Sequence, residues 1–248
     1  MRYFIELSYY GKHYHGWQIQ PQSVSVQEVL QNQMRKILPG FSEVVGAGRT
    51  DAGVHAKQLF AHFDLTEEID VAEMAYKLNC MLPDDIAIAE IFPVTEEAHA
   101  RFDATSRSYE YQIIQEKDVF NRELAWFFKP ELDLEKMNSA AAILKEYSDF
   151  QCFSRSRTDV RTYICQIFHA EWKMEKNKLV FHISADRFLR NMVRAIVGTL
   201  VEIGQRKLPV AAMHEIIKSK DRAKAGASVP AHGLYLTKIE YPETIRIN

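Results

Sequence analysis

Twice in this chain a stretch with the two-residue period of a β-strand hands over to one with the 3.6-residue period of an amphipathic helix. That order limits the fold more than any other feature. At the start, "MRYFIELSYY" alternates so that Tyr3, Ile5, Leu7 and Tyr9 share one face of a strand over residues 2–9. A polar stretch, "GKHYHGWQIQPQS", follows. Ser25 and Glu28 then form a capping-box pattern ahead of Val26, Val29, Leu30, Met34, Ile37 and Leu38 at helical spacing, and Pro39-Gly40 closes the helix. The pattern next predicts a strand near 57–65, a helix near 70–81 and short strands near 86–92 and 98–103. A further strand covers 107–114, with Arg107, Tyr109, Tyr111 and Ile113 facing one way. The second half repeats this order. It reads as a helix over about 133–147, strands near 162–174 and 178–185, a long helix from about 187 ended by Gly204, a helix after Pro209, and a closing strand in "LYLTKIEY". We therefore expect an α/β (α+β) fold: an extended, mostly antiparallel mixed sheet built from two similar halves, residues 1–115 and 116–248, sharing that sheet with helices packed on it.

Composition narrows the class of protein. With 248 residues, 47% of them hydrophobic and 26% charged, the chain can bury a large core without disorder. No apolar run approaches the ~20 residues of a membrane span, and the opening residues read as a strand rather than a signal peptide. A cytoplasmic protein away from the membrane is expected. Cys80, Cys152 and Cys165 are odd in number, lack C-x-x-C spacing and read as small buried apolar residues; the nine histidines include no H-E-x-x-H. Neither a disulfide framework nor a metal site is indicated. The net charge of −2 is uninformative, but its distribution is not. Residues 64–97 hold ten acids against the single base Lys77, and residues 186–224 hold nine bases against four acids. A fold that separates these regions has one positive face, suited to a polyanion; as a simpler reading, charge runs are solvated faces.

The stretch "GAGRTDAGVHAKQ" at 46–58 has too little side chain for a core and too much backbone freedom for a helix. Read as a dinucleotide fingerprint, it puts Asp51 where the third glycine belongs, a charge that would face a pyrophosphate. Read as a P-loop, Gly48 to Gly53 has the spacing, yet Val54 and His55 replace the lysine and hydroxyl. Two readings remain: a tight turn with Asp51 as a helix N-cap, or a carboxylate presented in a cleft with Arg49 as its counter-ion. In "ADRFLRNMVRAIVGTLVEIG", Leu189, Met192, Val193, Ile196, Val197, Leu200 and Ile203 form a core stripe, and Arg187, Arg190 and Arg194 lie along a neighbouring one. Arg194, among apolar neighbours, sits at the edge of the core, where a guanidinium wants a carboxylate.

Six stretches in order, "GWQIQP", "GAGRTDAGVHA", "LPDDIAI", "HARFDATSRSYEYQI", "FLRNMVRAIVGTLVEIG" and "GLYLTKIEYP", resemble the tRNA pseudouridine synthase A family over essentially the full chain. The resemblance implies isomerisation of uridine to pseudouridine in the anticodon stem-loop of tRNA, at tRNA positions 38, 39 and 40, by a homodimer that needs neither metal nor cofactor. It makes Asp51 the catalytic carboxylate, sets Tyr109 against the target base, pairs Arg194 with Asp51 and puts Leu234 in the pocket wall. The catalytic cleft then falls between the two halves. Arg107, Arg187 and Arg190 are candidate substrate-binding residues.

The chemistry fits those residue types. The N1–C1′ bond must break, the uracil must turn while bound, and C5 must join C1′. An ionised carboxylate can attack a carbon or abstract a sugar proton, and the sequence leaves both open. Guanidinium charge from Arg49 and Arg194 would keep Asp51 ionised against burial. Unstacking a base costs a few kcal/mol, and an aromatic such as Tyr109 recovers ~1–3 kcal/mol by stacking. The sequence departs from the family at Tyr9-Tyr10-Gly11-Lys12, where Y-D-G-T is usual, and in the arm "CFSRSRTDVRTYICQI" around Arg155, Arg157 and Arg161. Two rival readings are a non-catalytic tRNA-binding protein with a structural Asp51 loop, and a hydrolase acting on free nucleosides.

Overall fold

The computed structural model describes residues 1–155 and 161–247; Arg157 lies outside them. Among the described residues the fold is mixed α/β, with nine strands, mostly antiparallel, and five α-helices. In chain order these are β1 (Arg2–Tyr9), α1 (Val26–Ile37), β2 (Val45–Gly46), β3 (His55–Asp64), α2 (Val71–Met81), β4 (Ile86–Val94), β5 (Ser106–Ile114), β6 (Trp126–Phe127), α3 (Leu134–Ile143), β7 (Ile167–Glu175), β8 (Lys178–Ala185), α4 (Met192–Gly204), α5 (Ala212–Ser219) and β9 (Leu234–Glu240). Among the described residues, no helix is long and apolar enough to cross a membrane. Two compact units form: Met1–Ser106 with Leu236–Asn248, and Arg107–Tyr235.

In the first unit β1 lies between β3 and β4, antiparallel to both. β9 follows β3 in the strand order. Tyr3, Ile5, Leu7 and Tyr9 are buried as their alternation predicts, but Phe4 on the other face is fully buried as well, among the rings of Phe60, Phe92 and Tyr241. Ser25 caps α1 by accepting from the Glu28 N–H at 3.2 Å, and Asp70 caps α2 by accepting from Ala72 and Glu73. From α1, the amide of the buried Gln31 accepts from the Val44 N–H at 3.0 Å, and that of Gln27 donates to the Val44 carbonyl at 2.8 Å. The chain is thereby fixed in place as it enters β2.

The second unit has the strand order β5-β8-β7, with β6 parallel to β5. α3, capped by Asp133, packs on β7 and on α4 and α5. All seven residues of the predicted core stripe are buried.

Three expectations need correcting. Residues 98–103 form turns rather than a strand, because local acceptors capture the amides: Asp103 accepts from the His99 N–H at 2.7 Å, and the His99 ring accepts from Arg101 at 3.1 Å. The long helix starts at Met192 rather than near 187. Asn191 occupies the left-handed region at φ 66°, and a right-handed helix cannot run through it. Arg187 and Arg190 therefore precede the helix and do not share a stripe on it with Arg194. Among the cysteines, Cys152 and Cys165 are buried, and burial pushes each thiol up to about 12, but Cys80 is exposed.

Candidate active site

The glycine-rich stretch joins β2 to β3, which pair antiparallel through Val45↔His62 and Gly46↔Ala61. At its tip the Asp51 carbonyl accepts from the Val54 N–H at 3.2 Å, and Gly53 turns the chain at φ +77° into β3. No helix follows Asp51, so the N-cap reading has nothing to cap. Asp51 is half-buried and Arg49 exposed; among the described residues no ion pair joins Arg49 to a carboxylate.

What holds this loop is the polar stretch after β1. The Thr50 hydroxyl bonds the Tyr9 hydroxyl at 2.8 Å and accepts from the Trp17 N–H at 3.0 Å. Gly16, at φ +85°, lies so close that a Cβ on it would meet the Thr50 carbonyl oxygen at 2.1 Å. The Gly11 N–H donates to His55 Nδ1 at 3.0 Å, the Gly53 N–H donates to the Tyr14 carbonyl at 3.2 Å, and Tyr10 stacks on His55 at 4.8 Å. Asp85, just before β4, anchors the stretch in turn. Its carboxylate accepts from the Tyr14 hydroxyl, and its carbonyl accepts from the Tyr10 N–H at 2.9 Å. Burial, reinforced by Asp85, raises the Tyr14 phenol well above its ordinary range and keeps it a donor. Sequence reasoning gave these residues no role. The available signals were the glycines of "GKHYHGW" and the paired acids of "LPDDIAI".

In the second unit the candidate residues fall into two groups. Along β5, Arg107 pairs with Ala185 and Tyr109 with Ile183 of β8. The Arg107 guanidinium donates to the Asp186 carbonyl at 2.7 Å, and Tyr109 meets Phe188 edge to face at 5.2 Å. Both therefore belong with the 186–190 turn, where Arg187 is half-buried and Arg190 exposed.

The second group surrounds the segment 225–234. Arg194, half-buried on the first turns of α4, donates Nε to the Val229 carbonyl at 2.8 Å, while its own carbonyl accepts from the Val229 N–H at 3.3 Å. Next to it, the buried Tyr111 hydroxyl donates to the Pro230 carbonyl at 2.8 Å. Burial raises that phenol strongly and nearby Arg194 offsets part of the rise. Gly233 abuts the Tyr111 ring, where a Cβ would come within 2.8 Å, and this sets the buried Leu234 at the start of β9. The segment is pinned to α4 from below: a Cβ on Gly198 would meet the Ala227 carbonyl oxygen at 1.9 Å, and the Gly226 N–H donates to the Thr199 hydroxyl at 2.9 Å. Arg222 clamps it, donating to the Ala225 and Gly226 carbonyls and to Ser228 at 3.0–3.2 Å. Arg222 too was missed, because its partners, two backbone carbonyls and the Ser228 hydroxyl, leave no mark on the sequence pattern.

Similarity to known proteins defines the class of enzyme. A family model described as tRNA pseudouridine synthase matches residues 7–103 and 140–242. The chain belongs to that family and is an isomerase. The more particular similarity is to proteins named tRNA pseudouridine synthase A. That of Bacteroides fragilis is 53% identical over 246 residues, covering 98% of both chains. That of Parabacteroides distasonis is 51% identical, covering 98% of this chain and 97% of its own, and that of Syntrophomonas wolfei is 41% identical, covering 96% of each. Asp51, Arg194 and Leu234 fall inside the matched stretches, whereas Arg107 and Tyr109 lie between them.

Proposed function

We propose that the protein converts uridine to pseudouridine in tRNA, within the anticodon stem-loop at positions 38, 39 and 40, and that Asp51 is the carboxylate that does so. The observation that carries the Asp51 role is the bracing of its turn. Thr50, Gly53 and His55 are each bonded to the 9–17 stretch, so a half-buried carboxylate is held in place with no helix end to serve. Fixed placement is what a reacting group needs. In this reading Tyr109 packs against the target base, Arg194 pairs with Asp51, Leu234 forms pocket wall, and Arg49, Arg107, Arg187 and Arg190 meet the RNA. Asp51 acts either as nucleophile or as base toward a sugar proton.

The reaction is balanced without a co-reactant. The N1–C1′ bond breaks, the C5–C1′ bond forms, the hydrogen on C5 leaves to solvent and N1 takes up a proton. A cytoplasmic homodimer acting without cofactor completes the proposal, and it rests on the family resemblance. The decisive experiment is tritium release from tRNA labelled at uridine C5, with the chain recovered intact. Binding without release would support the non-catalytic reading, and cleavage of free uridine to uracil and ribose with the tritium retained would support the hydrolase reading.

A further inference from the structure

We infer that Asp85 is a positioning residue for the Asp51 carboxylate, acting on the Asp51 turn through Tyr14. This rests on the role proposed above for Asp51 and extends it to a corner of the fold far along the chain. The link is a series of hydrogen bonds. The Asp85 carboxylate accepts from the Tyr14 hydroxyl, the Tyr14 carbonyl accepts from the Gly53 N–H at 3.2 Å, and the Asp51 carbonyl accepts from the Val54 N–H at 3.2 Å. Asp85 also grips the other end of the same short segment, because its carbonyl accepts from the Tyr10 N–H at 2.9 Å. Between these two points Gly11–His13 form a single 3-10 turn. Gly11 lies so close to Val54 that a Cβ on it would meet the Val54 carbonyl oxygen at 1.9 Å. Any shift of residues 10–14 therefore reaches residues 53–54 by contact as well as by hydrogen bond.

An anchor must itself be fixed, and Asp85 is. It stands in the corner between α2 and β4, where Leu82 and Ile86 are buried and the Ile86 N–H donates to the Pro83 carbonyl at 3.0 Å. Two further bonds close that corner: the Asn79 side chain of α2 donates to the Ile88 carbonyl at 2.9 Å and accepts from the Ile88 N–H at 2.8 Å.

Tyr14 is the path inward from this anchor. Its ring is buried, so removing the carboxylate leaves its hydroxyl short of an acceptor, and the ring and its backbone must move to find another. The second Asp85 oxygen faces the His13 ring at 3.2 Å, but His13 is exposed and that contact is screened by solvent. Asp84 beside it is exposed, which makes it the natural control.

The test is single-turnover tritium release at saturating tRNA, with tRNA affinity measured alongside. Asp85→Ala and Tyr14→Phe should each slow release by about tenfold to 10²-fold, the scale of a sub-ångström to 1 Å misplacement, and leave affinity within about twofold of wild type. Because both act through one bond, the double variant should be no slower than the slower single variant. Asp85→Asn keeps an oxygen that can accept from Tyr14 and should recover most of the rate, and Asp84→Ala should keep all of it. Hydrogen exchange supplies a readout that general destabilisation does not imitate: in Asp85→Ala the Gly53 amide should exchange about tenfold faster while the amides of β1 keep their protection. If Asp85→Ala does not fold, Tyr14→Phe carries the same comparison. Wild-type release by both single variants while Asp51→Asn is inactive would overturn the positioning role alone, as would additive losses, an asparagine no better than alanine, or an unmoved Gly53 amide. Turnover retained by Asp51→Asn would instead overturn the Asp51 reading, and this inference with it.

Discussion

Replacing Gly16 with alanine tests whether the Asp51 turn is held by the stretch that follows β1. Gly16 sits at φ +85°, and a Cβ there would meet the Thr50 carbonyl oxygen at 2.1 Å and the Asp51 carbonyl carbon at 3.2 Å. The left-handed conformation costs a non-glycine residue roughly 1–2 kcal/mol. Opening the contact from 2.1 Å to the roughly 3 Å that real Cβ atoms keep moves the loop or its bracket by about 1 Å. Forcing such a shift in a packed region costs ~1–3 kcal/mol, so Gly16→Ala should lower the unfolding free energy by about 2–5 kcal/mol. The obstructing atoms are backbone of Thr50 and Asp51, so relief is transmitted to the carboxylate. A misplacement of about 1 Å at a reacting group costs ~10²-fold in rate. Urea unfolding and single-turnover tritium release on the folded variant give the two numbers. A stability change within about 0.5 kcal/mol and a rate within about twofold of wild type would refute the bracing argument.

Asp51→Asn should leave melting temperature and tRNA affinity close to wild type while single-turnover release falls by at least ~10³-fold, about 4 kcal/mol of barrier; retained turnover would end the proposed role of Asp51. Arg222→Ala removes the clamp on the segment that holds Arg194, and should cost about 1.5–3 kcal/mol of stability together with turnover; Arg222→Lys keeps the charge but not the fork, so full rescue by lysine would show that charge alone matters. His62, buried on β3 and accepting from the Ala100 N–H at 3.2 Å, is pushed down to about 4 by burial and by Arg2. Its unfolded counterpart protonates near 6.5, so the stability it contributes is complete above that pH and is lost as pH falls from about 6.5 to about 4. An NMR titration of the His62 ring with a midpoint near its ordinary value would contradict this.

Much of the fold was legible because its signals are local. The capping pattern of Ser25 and Glu28 places α1 to the residue, and alternation places β1, β5 and β8 with little error. Short-range rules act within one turn or one pleat, so nearby sequence suffices to state them. The motifs around Asp51, Arg194 and Leu234 were readable for a different reason: their residue types and order match a family.

Local reading failed where a distant or unusual contact overrode it. Apolar spacing continues through Leu189 and Met192, yet Asn191 takes a left-handed conformation, held by Ser228 some forty residues on, and the helix begins only after it. The strand expected at 98–103 lost to local hydrogen bonds accepted by the Asp103 carboxylate and the His99 ring. Nothing in the order of residues announces that Asp85 anchors Tyr14, that Gly16 lies against Thr50, or that Arg222 fastens the backbone to which Arg194 is tied. The sequence by itself determined most of the elements and, through its match to a family, the class of chemistry, and it singled out Asp51 as the candidate carboxylate. Only the tertiary structure decided what holds the turn carrying that carboxylate and what holds its candidate arginine, because those restraints are hydrogen bonds and close glycine contacts between segments far apart in the chain.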